Sequence, residues 1–203
     1  MAKQVFSKKN KEGKDLYYVI LDEIIGNFRK GWNLVFLETS NSGFVSNVTS
    51  MLNGLNGRDV AEQKEGVVVE PIIYDIVLYT SNKSSAFEDE ANVSNIHLSN
   101  LNFHYPSPNR SFNVSIPNSF INHYKSIYGI TPSKYATRGF DLTMDILLRL
   151  ASHDDLYSGS QSDIETEYVE NKFRYSKKLF GGYYNEAVYV VKYEDMTIIE
   201  AKN

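Results

Sequence analysis

Residues 33–55 read NLVFLETSNSGFVSNVTSMLNGL. Asn33-Leu34-Val35-Phe36-Leu37 is an almost unbroken apolar run of strand length, the kind that suits a parallel strand buried on both faces. Glu38-Thr39-Ser40-Asn41-Ser42 breaks it with a polar loop. From Gly43 to Leu55 the apolar positions Phe44, Val48, Met51, Leu52 and Leu55 recur at helical spacing, and Gly54, Gly57 and neighbouring asparagines close the helix. The unit is strand, polar loop, helix.

The unit repeats. A wider strand-like region, 67–79, is split by Pro71, which leaves Ile72–Leu78 as a second central strand. Thr80-Ser81-Asn82-Lys83-Ser84-Ser85 is a second polar loop. A short helix is expected near 86–95 and a strand over 101–105. Strands alternating with helices imply a three-layer α/β/α architecture with a mainly parallel sheet. In open sheets of this type ligands bind outside the carboxyl ends of the strands. Thr39, Ser40 and Asn41 in the first loop, and Thr80, Ser81 and Asn82 in the second, are therefore the candidate ligand-binding residues. The plainer alternative is that these Ser, Thr and Asn side chains cap helices and shape turns.

Upstream, Lys3–Phe6 reads as a strand, 7–14 as a polar loop and Leu16–Arg29 as an amphipathic helix. Downstream, FINHYKSIYGITPSKYATRGFDLTMDILLRL (120–150) reads as two helices joined at a corner. Phe120, Ile121, Tyr124, Ile127 and Tyr128 form one apolar face. Gly129 stops the first helix, Pro132 bars its continuation and Ser133 caps the second. There Tyr135, Phe140, Leu142, Met144, Ile146, Leu147 and Leu150 carry the apolar load and are expected to be buried, so Tyr135→Ala should cost about 3 kcal/mol. Residues 152–167 read as an acidic, mobile loop. Strands are expected over 168–173, 189–193 and 197–200, with a hairpin turn at Glu194-Asp195. The domain reading is an α/β ligand-binding lobe, 1–105, and a helix pair with C-terminal strands, 106–203.

Composition narrows the function. The formal net charge is −4 and Lys and Arg are scattered, which argues against a nucleic-acid partner. There are no cysteines, which excludes disulfides, thiolate catalysis and cysteine-ligated metal. No run approaches a membrane span, and no signal peptide is expected at Met1-Ala2-Lys3, so the compartment stays open. His97, His104, His123 and His153 lack metal-ligand spacing, and no metal or cofactor is expected. Phosphate-loop and nucleophile-elbow motifs are absent. Asp141 and Asp145, one helical turn apart, are the pair that could do acid–base work, with Arg138 placed to neutralise Asp141. No catalytic residue is assigned.

The pattern Phe120, Tyr124, Tyr128, Pro132, Tyr135-Ala136, Gly139-Phe140-Asp141 resembles a segment of the type I periplasmic ligand-binding proteins. NLVFLETSNSGFVSNVTSML, IVLYTSN, LNFHY and LFGGYYN…VYVVKY also resemble that family, in particular a Bacteroidetes-type group associated with LysM modules. The resemblance runs from about Val5 to Tyr193. It implies a non-enzymatic module binding a small polar solute in a cleft faced by Thr39–Asn41 and Thr80–Asn82. Amino-acid binders of the family place an acidic residue near the second loop; here that position is Thr-Ser-Asn, with Glu38 as a possible substitute. Family members are about twice as long. The resemblance therefore implies a fragment or minimal relative, with a first lobe or a second subunit covering the 120–150 helix pair. The alternative is a structural or protein-interaction module on the same scaffold, serving protein contacts or cell-wall association.

Overall fold

The computed structural model describes residues 6–9, 11–13, 15–20, 24–57, 59–60, 72–110, 118–161 and 164–201. The expected residues 3–5 of the first strand, and 67–71 of the later strand-like region, lie outside them. The chain divides into two compact units, Met1–Pro106 with Lys192–Ala201, and Ser107–Val191 with Lys202–Asn203.

The first unit is built on a mainly parallel sheet. β1 (Phe6–Lys9) and β2 (Asp15–Tyr18) pair as an antiparallel hairpin, Phe6 opposite Tyr18. The helix expected over Leu16–Arg29 is therefore wrong at its start. Leu16-Tyr17-Tyr18 is β-favouring sequence, and strand pairing with β1 overrides the apolar periodicity. β3 (Gly31–Phe36) runs parallel to β5 (Ile72–Tyr79), with Gly31 opposite Tyr74 and Phe36 opposite Tyr79. β4 (Asp59–Val60) adds antiparallel to the start of β5. β6 (His104–Ser107) pairs parallel to β5 at Tyr79 and His104. β11 (Tyr189–Glu194) and β12 (Thr197–Glu200) complete the order β12-β11-β6-β5-β3. Asp195 and Met196 between them both have positive φ, 48° and 59°, the geometry of a two-residue hairpin turn.

α1 (Ser42–Leu55) links β3 to β5 and packs Val45, Val48, Leu52 and Leu55 into the core. Each such side chain contributes about 1.5–3 kcal/mol. Its last turn is tied down by Asn56, whose Oδ1 accepts from Ile76 N at 2.7 Å and whose Nδ2 donates to Asn100 O at 2.8 Å. The helix expected near 86–95 is instead a 3₁₀ turn (Ser85–Glu88) followed by α2 (Asn95–Asn100). Ser94 accepts from His97 N and fixes that later start. β6 consequently begins at His104 rather than Leu101. β3 departs from the expectation of burial on both faces: Trp32 is 63% exposed and Phe36 63%. β3 ends the sheet path, and Trp32, Leu34 and Phe36, which share one face of it, are all exposed.

The second unit carries the helix pair. α3 (Ser119–Tyr128) ends at Gly129, which adopts φ 70° and donates its N–H to Lys125 O. That left-handed conformation is what a glycine supplies at a helix end. Ser133 Oγ accepts from Ala136 N and starts α4 (Lys134–Ser152). α5 (Leu156–Ser160) follows, capped by Asp155, inside the stretch expected to be a loop. Two small antiparallel pairs complete the unit: β7 (Thr166–Glu167) with β8 (Lys172–Phe173), and β9 (Tyr175–Lys177) with β10 (Tyr183–Asn185).

The helix boundaries match the sequence reading, but the buried face does not. Of α4, the buried residues are Thr137, Asp141, Asp145 and Arg149. Tyr135 is 73% exposed, and Leu142, Leu147 and Leu150 are exposed as well. On α3 only Ile121 is buried. Hence Tyr135→Ala changes stability by less than about 0.5 kcal/mol in chemical denaturation. A loss near the 3 kcal/mol expected for a core tyrosine would place Tyr135 in a packed interface.

Candidate functional site

The two polar loops lie side by side because the strands they leave are hydrogen-bonded neighbours. Leu37 N donates to Tyr79 O at 2.9 Å, and Thr80 N to His104 O at 3.1 Å. Glu38 then ties the loops together. Its carboxylate accepts from Ser81 N at 2.5 Å and from the Thr80 hydroxyl at 3.2 Å. Ser84 Oγ donates to Thr39 O at 2.8 Å and closes the other side. Burial works to raise the carboxyl's pKa, but the Ser81 N–H and the hydroxyls outweigh it and hold Glu38 below the usual glutamate value.

The six sequence-predicted residues fall into two groups. Asn41 caps α1, its Oδ1 accepting from Phe44 N at 2.8 Å. Thr39 Oγ1 accepts from Asn41 N at 3.1 Å, and Thr80 is 2% exposed, its hydroxyl lying 3.2 Å from both Glu38 and Asn82 O. These three shape the loops. Ser40, Ser81 and Asn82 are exposed, with the Ser81 hydroxyl also reaching Glu38.

Other groups near these strand ends were not marked by sequence. Lys83 extends from the second loop, its Nζ 3.2 Å from Tyr193 Oη and 3.1 Å from Glu88 Oε1, and lies over the Tyr105 and Tyr193 rings at 4.7 and 5.4 Å. Such contacts hold an ammonium strongly when it is partly desolvated. Phe36 and Tyr79, the last residues of β3 and β5, and His104, the first of β6, form a row, with Tyr79 and His104 stacked at 4.5 Å and Phe36 and Tyr79 at 5.7 Å. Burial is the main cause that holds the His104 pKa below the usual histidine value, and its Nδ1 lies 2.5 Å from Asn102 O. A neutral ring with Nδ1–H donating to that carbonyl fits both facts.

Along β3 lies a cavity of about 500 Å³ walled by Phe28, Leu34, Phe36, Phe44 and Val48, with Glu38 also in its lining. This is within the size range of small-ligand pockets, which are largely apolar with a few placed polar groups. None of the six predicted residues lines it. Glu38, named at the sequence level only as a substitute, is the residue common to the loops and the cavity.

The carboxylate pair does something different. Asp141 Oδ1 accepts from Val169 N at 3.1 Å, and its Oδ2 from Glu170 N and Asn171 N at 2.8 and 2.9 Å. Asp145 accepts from Arg149 Nε at 2.9 Å, Thr166 Oγ1 at 2.6 Å, Tyr175 Oη at 3.0 Å and Tyr168 Oη at 3.3 Å. Both are 0% exposed. They organise the second unit. Arg138 pairs with Glu170 at 3.0 Å rather than with Asp141. Among the described residues no group of three His, Asp or Glu side chains is placed to hold a metal. Among the same residues no helix is long and apolar enough to cross a membrane.

No family model matches the sequence, and no curated protein matches it. Among solved structures the chain is similar to an ABC transporter substrate-binding protein from Desulfitobacterium hafniense, crystallised in complex with Leu. The two are 18% identical with a TM-score of 0.45 over 91% of this chain and 49% of that one. The chain thus spans about half the length of that protein.

Proposed function

We propose that this chain is a non-enzymatic solute-binding module. Its site lies at the carboxyl ends of β3 and β5, with Glu38, Ser81 and Asn82 as ligand-contacting residues and Ser40 beside them. The observation that carries the reading is the position of Glu38, which bridges both loops and opens on the 500 Å³ cavity. Its carboxylate keeps lone pairs free for a donor on the ligand. The ligand class that fits is a small solute with a hydroxyl or ammonium head and an apolar body lying against Phe36 and Leu34. A leucine-like solute has that form, and the resemblance to periplasmic binding proteins seen in the sequence points the same way. Thr39, Asn41 and Thr80 position the loops in this reading.

Asn82→Ala is expected to weaken solute binding without lowering the melting temperature, since Asn82 is exposed. Glu38→Gln weakens it further, by about tenfold for a charge-assisted contact. It also changes the pH response of stability. Because the folded-state pKa of Glu38 is lowered from 4.5, its contribution is present at neutral pH and fades as pH falls below that value. Calorimetric titration and acid unfolding of the two variants check this. Unaltered binding by Glu38→Gln would remove Glu38 from the site.

A second reading is favoured by one observation. The helix pair leaves Ile127, Tyr128, Ile130, Tyr135 and Leu147 more than half exposed. Exposed apolar side chains in that number would suit a contact surface, in keeping with an interaction module or with a further lobe or second subunit.

A further inference from the structure

The second unit holds a tyrosine-walled depression that the solute site does not use. It lies between α5 and the β9–β10 hairpin, as two adjoining hollows of about 360 and 420 Å³ that share Ser160, Tyr175 and Tyr183. One hollow is completed by Ile146, Leu156 and Tyr157, and the other by Gln161, Ser176 and Lys177.

The walls are held in place. Tyr175 Oη donates to the buried Asp145 at 3.0 Å, and the Arg149 guanidinium backs the Tyr175 ring at 4.8 Å. Tyr157 and Tyr183 meet edge to face, with centroids 5.2 Å apart and an interplanar angle of 81°. α5 comes close to α4 because Gly159 has no side chain: a Cβ there would lie 3.0 Å from Arg149 Cβ and 3.2 Å from Arg149 O. The aromatic faces are thus preorganised, which lowers the ordering cost of binding.

At the rim, Lys177 Nζ donates to Tyr157 Oη at 2.6 Å. Among the described residues it has no carboxylate partner. No Asp or Glu side chain lines either hollow, though Ser176 of the wall hydrogen-bonds the Glu186 carboxylate. The Lys177 ammonium is the first cause holding the exposed Tyr157 phenol below the usual tyrosine range. An ammonium has three donors and this one meets a neutral oxygen, so it can still take up an anion.

We propose that this depression is a second ligand site and that it binds an acidic pyranose sugar. The sugar's carboxylate would meet Lys177. Its axial C–H face, which carries partial positive charge, would lie on the negative π faces of Tyr183 and Tyr157. Its ring hydroxyls would meet Gln161, whose side chain also bonds the Tyr157 and Tyr183 phenols, and Ser176, whose hydroxyl also bonds Glu186. A flat aryl acid would satisfy Lys177 but offer no hydroxyls to Gln161 and Ser176, which is why the sugar is favoured.

The test uses the full chain with D-glucuronate, D-glucose and benzoate as probes, followed by saturation-transfer NMR and amide shift mapping. The expected result is saturable D-glucuronate binding with shifts centred on residues 157, 176, 177 and 183. D-Glucose should bind more weakly. Lys177→Gln should weaken D-glucuronate about tenfold, and Tyr183→Leu should also weaken it. Lys177 is on the rim and Tyr183 is a half-exposed wall residue, and unchanged thermal unfolding of each variant confirms that the fold is kept. Three results overturn the proposal: no saturable D-glucuronate binding by the wild-type chain, equal binding by Lys177→Gln, or benzoate binding as tight as D-glucuronate. The site shares no residue with the Glu38 loops, so its failure leaves the solute-binding reading standing.

Discussion

Asp141→Ala lowers the stability of the chain by about 3–5 kcal/mol, the loss expected when several buried donors lose their acceptor. Asp141 is 0% exposed and accepts the backbone N–H groups of Val169, Glu170 and Asn171. The alanine removes the acceptor and leaves one buried and two part-buried donors without it. Asp141→Asn keeps one acceptor oxygen but turns an NH₂ toward the remaining N–H groups, so about half the loss should persist. Urea unfolding of both variants reads the effect. A change below about 1 kcal/mol for Asp141→Ala, the level of an ordinary surface position, would mean that the 169–171 turn does not depend on this carboxylate.

Arg149→Met is the second large effect, about 3–5 kcal/mol, because it strands Asp145 as a buried charge without its counter-ion. Arg149 Nε lies 2.9 Å from Asp145 Oδ2, and its Nη1 donates to Gly159 O at 2.8 Å. Methionine restores the volume but neither interaction. The hydroxyls of Thr166, Tyr168 and Tyr175 still reach Asp145, so Tyr175→Phe, which deletes one hydrogen bond of several, should cost only about 1–1.5 kcal/mol. Thermal and denaturant unfolding of the two variants separates charge stranding from loss of a single bond. Equal losses would show that Asp145 is held by its hydroxyl donors rather than by the arginine.

These two positions show where sequence reading stops. The corner between α3 and α4 was legible because each device is local: Gly129 ends a helix, Ser133 starts one, and their partners lie within four residues. The βα units around Phe36 and Leu78 were legible for the same reason, as apolar runs broken by short polar loops. The buried face of α4 was not. Periodicity counts apolar residues, and it selected Tyr135, Leu142 and Leu147. The stripe that is buried, Thr137, Asp141, Asp145 and Arg149, is polar and is stabilised by groups about 20–30 residues downstream. No local pattern announces such partners.

The candidate site divides the same way. Strand ends located both loops, and the alternative that Asn41 is a helix cap proved to be its observed role. The bridge from Glu38 to Thr80 and Ser81 spans 42 and 43 residues of sequence and depends on β3 and β5 being neighbours in register. Lys83 was visible in the second loop, but its seat on Tyr105 and Tyr193 joins three separate strand ends and loops. At the amino-terminal end, Leu16-Tyr17-Tyr18 carried apolar residues at a spacing that fits helix and strand alike, and pairing with β1 decided it.

The most direct test of the solute site is amide mapping of the ¹⁵N-labelled chain titrated with the common amino acids and neutral hexoses. The account predicts saturable shifts for at least one of these solutes, centred on Glu38–Asn41 and Thr80–Ser84 and strongly reduced in Glu38→Gln. Shifts centred elsewhere, shifts undiminished in Glu38→Gln, or no saturable response to any of these solutes would contradict it.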